Sequence, residues 1–76
     1  MNSLGFYSVL LDPQITFTKD HVAQAFREQN GRCAICGEEM PGEIGTDIHG
    51  DHILEYKDGN PTTQANCAAV HSTCNW

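Results

Sequence analysis

Two short pairs of soft metal ligands, set far apart in a short chain, constrain what this sequence can fold into. Cys33-Ala34-Ile35-Cys36 is followed by Gly37, and His71-Ser72-Thr73-Cys74 lies just before the last residue, Trp76. A Cys-x-x-Cys pair brings two thiolates to one ion, and a following glycine lets the turn close tightly. Alone, such a pair is half a metal site or a redox couple. His71 and Cys74 supply a second pair with the same reach. Three sulfurs and one imidazole make a closed tetrahedral zinc shell, and a zinc with all four positions filled is structural rather than catalytic. Cys67 is left over and reads as a small buried hydrophobe. Its rival role, replacing His71 as a ligand, fits the spacing to Cys74 poorly.

The length makes such a clamp valuable. A chain of 76 residues with 39% hydrophobic positions forms one domain at most. A domain of this size buries only about 60% of the surface its unfolded chain exposes, whereas structural zinc contributes on the order of 10 kcal/mol or more. The length also excludes a large α/β enzyme with a built-in cofactor pocket. The longest apolar stretch, around Leu4 to Leu11, is too short to span a membrane. It also lacks the charged start and small-residue cleavage site of an export signal. The expected setting is therefore cytoplasmic and reducing, where cysteines bind metal; a secreted protein with two disulfides ranks last. Ten acidic residues against four basic ones give a net charge of −6. The basic ones (Lys19, Arg27, Arg32 and Lys57) are scattered, which argues against a free-standing nucleic-acid binder with a basic face.

Residues 1–15 alternate weakly, with a turn at Asp12-Pro13. A helix is predicted after Thr18, its N-cap, with Phe17 and Val22 as a hydrophobic staple and Gly31 at its C-terminal end. Val22, Ala25, Phe26 and Gln29 form a stripe at helical spacing that packs on the metal core; His21 reads as solvated. Pro41 to Gly45 reads as loop, Asp47 to Tyr56 as a strand or hairpin arm, Lys57 to Thr63 as loop and Asn66 to His71 as a second strand.

Between the two ligand pairs lies Gly50-Asp51-His52-Ile53. Successive strand residues point to opposite sides, so a carboxylate and an imidazole can do different jobs around one reacting phosphate. His49 is aimed the same way as Asp51 and ranks below His52. Singly, Asp51 reads as a strand-end carboxylate, His52 as a core histidine, and Asn66 and Asn75 as turn or cap residues. Their joint register with the zinc ligands favours a catalytic constellation.

The run CAIC, then GDHI, a loop ending TTQAN, and VHSTCN resembles the zinc-stapled HNH endonucleases over residues 17–76. The resemblance implies an α+β fold: a small zinc-stapled ββα-metal core with a preceding N-terminal helix. It implies an N-terminal segment over 1–16 and a nuclease domain over 17–76, its C-terminal helix cut short after Trp76. His52 would be the general base, and Asp51 and Asn75 would hold one Mg²⁺ or Mn²⁺. Asn66 would hold the loop so that His52 faces the phosphorus. Cys33, Cys36, His71 and Cys74 would hold structural zinc. The implied partner is DNA, gripped mainly through its phosphates. The acidic balance predicts weak, salt-sensitive affinity, so further domains or a partner protein would supply targeting and positive charge. Phage or mobile-element origin fits this module. The alternative is a zinc-stapled interaction module that keeps the scaffold without the activity.

Overall fold

Thr18 starts the helix that its sequence predicts. In the computed structural model of the protein, which describes residues 11–75, α1 spans Lys19–Glu28. The Thr18 hydroxyl accepts from the His21 backbone N–H at 3.2 Å, and the Thr18 N–H donates to His21 Nδ1, also at 3.2 Å. His21 is therefore not merely solvated. Its ring takes the place that Glu usually fills in a capping box, satisfying a backbone donor at the helix start. At the other end the Asn30 N–H reaches the Arg27 carbonyl at 3.1 Å and the Gly31 N–H reaches the Phe26 carbonyl at 2.8 Å. This is a Schellman cap. Asn30 already takes the left-handed conformation at φ 57°, with Gly31 following at 73°.

β1, Ile48–His52, pairs antiparallel with β2, Cys67–His71. The register sets Gly50 opposite Ala69 and His52 opposite Cys67. β1 is shorter than its apolar run predicts. Ile53 and Leu54 are 61% and 60% exposed, and Tyr56 opens a 3-10 turn, Tyr56–Asp58. The reason is the partner: the Ile53 N–H still donates to the Asn66 carbonyl at 3.0 Å, but Asn66 ends a second 3-10 turn, Gln64–Asn66, so β2 begins only at Cys67 and the ladder closes at His52.

α1 packs on this sheet, mainly on β2. Val22 and Ala25 join Cys33, Met40, Ile48, Cys67, Ala69 and Val70 in one buried cluster. Gly50 allows the close approach, since a Cβ there would lie 2.8 Å from Val22 Cγ2 and 3.1 Å from Phe17 Cβ. Gln29, expected in the apolar stripe, is instead a polar clamp. Its Nε2 donates to the Ala69 carbonyl at 2.9 Å and its Oε1 accepts from the Ala69 N–H at 2.8 Å. The edge of β2 facing away from β1 needs partners for its backbone groups, and the Gln29 amide stands in for a neighbouring strand.

The result is the expected α+β arrangement of one helix on a two-stranded sheet. Its core is small. Ile48 and Val70 are the largest side chains taken fully out of water, contributing about 1.5–3 kcal/mol each. The weak alternation expected over residues 1–15 lies mostly outside the described residues, but the turn at Asp12-Pro13 is present: the Gln14 N–H donates to Asp12 Oδ1 at 2.9 Å. Among the described residues no helix is long and apolar enough to cross a membrane.

Candidate functional site

The first ligand pair sits on a hairpin turn. Arg32 and Glu39 bridge its base, the Cys33 N–H donates to the Glu38 carbonyl at 2.8 Å, and the Gly37 N–H closes onto the Cys33 carbonyl at 2.9 Å. The second pair comes from the end of β2 and the 3-10 turn Ser72–Cys74. Long-range packing of β2 brings the pairs together, and the ligand atoms of Cys33, Cys36, His71 and Cys74 all lie within 4.8 Å of one another. Cys36 Sγ and Cys74 Sγ stand 3.3 and 3.8 Å from His71 Nδ1. A tetrahedron with Zn–S near 2.3 Å and Zn–N near 2.0 Å has N–S edges of about 3.5 Å, so donor set and spacing both fit zinc. His71 Nε2 lies 3.0 Å from the Glu39 carbonyl. An N–H there can only donate, which leaves Nδ1 as the ligand atom.

The thiols themselves favour a cation. Burial works against ionising Cys33, but hydrogen bonds from the backbones of Cys36, His71 and Ile35 and from the His71 ring outweigh it, and its pKa falls to about 6. Cys74 is pushed up to about 11, by burial first and then by Cys36 and Cys33. A second negative sulfur beside the Cys33 thiolate is unfavourable, and a divalent ion at the centre removes the conflict. Cys67 stands apart from this group. It is buried, and burial, followed by the charges of Asp51 and Glu28, pushes its thiol up to about 11. It is the neutral core residue that its spacing suggests.

A cavity of about 450 Å³ opens beside β1, and its walls include Phe17, Lys19, His49, Asp51, His52 and Asn75. Three of the residues singled out by sequence, Asp51, His52 and Asn75, thus share one cavity. The first two come from β1, and Asn75 follows the turn that carries Cys74. His49 lines the same cavity, while Asn66 does not. Asn66 is buried behind it, with Oδ1 accepting from the Leu54 N–H at 2.8 Å and Nδ2 donating to the carbonyls of Leu54 at 3.1 Å and Pro61 at 2.9 Å. Its side chain ties together both ends of the loop that follows β1.

His52 has neighbours that the sequence did not announce. Its ring lies 4.4 Å from that of Phe17 and 5.3 Å from that of Tyr56, measured between centroids. Its Nε2 is 2.8 Å from Thr62 Oγ1. Thr62 is buried, and its N–H donates to Asp12 Oδ2 at 3.0 Å. The Tyr56 hydroxyl donates to the Asp12 carbonyl. Hydrogen bonds from Gln14 and Thr62, with the nearby His52 charge, hold the Asp12 carboxyl below its ordinary pKa against the effect of burial. Asp12 and Thr62 are 50 residues apart. Turn and loop signals were all that either position carried.

The sequence model of one family, HNH endonuclease, matches residues 33–76. No curated protein and no solved structure matches the chain. The matched segment takes in both ligand pairs, both strands and the cavity residues Asp51, His52 and Asn75, and it covers more than half of the 76 residues. The chain belongs to the HNH endonuclease family.

Proposed function

We propose that this protein is a metal-dependent DNA endonuclease in which residues 17–76 form the nuclease domain. Support comes from one observation above the rest: Asp51, His52 and Asn75 line a single cavity within the segment that the family covers. His52 accepts the proton of the attacking water, a role suited to an imidazole, which carries one basic nitrogen beside its N–H. As the water oxygen bonds to phosphorus, the bond to the leaving 3′ oxygen breaks and its electron pair departs with that oxygen. Asp51 and Asn75 offer a carboxylate and an amide oxygen, hard donors of the kind Mg²⁺ and Mn²⁺ prefer. An ion held by them would supply charge stabilisation for the phosphate and leaving oxygen. Asn66 acts at a distance, keeping the loop after β1 folded so that His52 meets the phosphate. Zinc on Cys33, Cys36, His71 and Cys74 holds the fold and takes no part in the chemistry.

With a net charge of −6, the chain alone binds DNA weakly and loses affinity steeply with salt. Further domains or a partner protein supply targeting. The test is relaxation of supercoiled plasmid by the zinc-loaded protein with Mg²⁺ or Mn²⁺, beside Asp51→Ala. Nicking that needs the added ion and disappears in Asp51→Ala, with zinc content unchanged, is the expected result. Nicking that survives the substitution removes Asp51 from the site. Absence of nicking in the wild type favours the inactive interaction module.

A further inference from the structure

The seat of His52 joins residues inside the family match, Tyr56 and Thr62, to residues that precede it, Asp12 and Phe17. His52 lines the cavity, yet one of its ring nitrogens is occupied from behind: Nε2 lies 2.8 Å from the hydroxyl oxygen of Thr62. Among the described residues nothing hydrogen-bonds Nδ1. Thr62 is only 5% exposed, so water does not replace it at Nε2. Its own backbone is fixed in turn, because its N–H donates to Asp12 Oδ2 at 3.0 Å. Asp12 is held by a second contact, its carbonyl accepting from the hydroxyl of Tyr56, whose ring flanks His52. The Phe17 ring also packs against His52, 4.4 Å away between centroids. Asp12 and Phe17 both precede residue 33, where the family match begins.

We propose that Thr62, anchored by Asp12, is a positioning residue for His52: its Oγ1 accepts from Nε2–H, which fixes the ring and makes Nδ1 the proton-accepting atom. This rests on His52 being the base, and it adds the tautomer, the atom and the residues that set them. The logic is general. A neutral imidazole has one N–H and one lone pair, and the hydrogen bond at one nitrogen decides which atom is free to act. The opposite polarity, with the Thr62 hydroxyl donating to Nε2, would put the proton on Nδ1 and leave the cavity without a basic nitrogen.

Two readouts on the zinc-loaded, ¹⁵N-labelled protein test this. Long-range ¹H–¹⁵N spectra, taken without Mn²⁺ at a pH where His52 is neutral, report its tautomer directly and need no activity. The expected wild-type signal is protonated Nε2 and bare Nδ1, retained in Thr62→Ser and replaced by a tautomer mixture in Thr62→Val. In plasmid nicking with Mg²⁺, Thr62→Val lowers kcat about 10- to 100-fold through misplacement of the base. KM is unchanged, Thr62→Ser restores most of the rate, and Asp12→Ala follows Thr62→Val. A wild-type His52 protonated on Nδ1 overturns the proposal, as does a Thr62→Val spectrum and kcat equal to wild type. Should Thr62→Val not fold, the wild-type tautomer still decides the polarity. If the wild type shows the expected tautomer but never nicks DNA, the endonuclease reading fails while the positioning contact stands.

Discussion

Cys36→Ser separates the metal from the rest of the fold. Cys36 is exposed at the tip of its hairpin turn, so replacing sulfur by oxygen there removes no buried packing. What it removes is one of the four side chains positioned to hold a metal. Folded domains are stable by roughly 0.05–0.15 kcal/mol per residue, or about 4–11 kcal/mol for a chain of this length. The two largest fully buried side chains, Ile48 and Val70, supply about 3–6 kcal/mol of gross burial between them, before the entropy of ordering the chain is charged against it. Structural zinc in small domains is worth about 10–16 kcal/mol. Losing it removes about as much as the whole expected stability, or more. Cys36→Ser should therefore be unfolded by far-ultraviolet circular dichroism, and wild type stripped with a strong chelator should match it and refold when zinc returns. Acid should act in the same direction. Protons compete for the thiolates and for His71, whose pKa is raised first by Cys33 and then by the Glu39 carbonyl, so zinc and helix signal should vanish together as the pH falls. A Cys36→Ser protein that stays folded without zinc and melts cooperatively would refute the reasoning.

The remaining predictions probe the packing that positions the cavity. Gly50→Ala places a Cβ 2.8 Å from Val22 Cγ2, and this overpacking should lower stability by about 1–3 kcal/mol in thermal denaturation. Asn66→Ala deletes three side-chain hydrogen bonds to the loop after β1; urea titration should show a loss of about 2–4 kcal/mol, with nicking reduced beyond what unfolding explains. Cys67→Ala should keep one zinc per chain by colorimetric assay, because Cys67 lies outside the ligand group.

Short-range punctuation and ligand spacing made much of this molecule legible. Thr18 and Gly31 marked the ends of α1, and the two ligand pairs marked the metal group. All but one of the misreadings share a cause, dependence on a partner distant in sequence. Ile53 and Leu54 look like strand residues, but β1 stops where the segment opposite forms the 3-10 turn Gln64–Asn66. Gln29 falls on the helix face that meets the core, yet it serves as a polar clamp because the open edge of β2 comes to rest against it. His21, whose partner Thr18 is local, reads as solvated because Glu or Gln is the usual capping-box residue. The seat of His52 was invisible for the same reason as the strand end. Asp12 and Thr62 carry only local turn and loop chemistry until the fold brings them together behind the ring.

The central claim is that His52, on a strand held by the metal clamp, is the base of a phosphodiester hydrolase. Plasmid nicking by zinc-loaded wild type beside zinc-loaded His52→Ala, at equal zinc content and equal helix signal, tests it most directly. The account predicts ion-dependent conversion of supercoiled to open-circular plasmid by wild type, and a rate at least about 100-fold lower in the variant. Equal rates in the two proteins would contradict it.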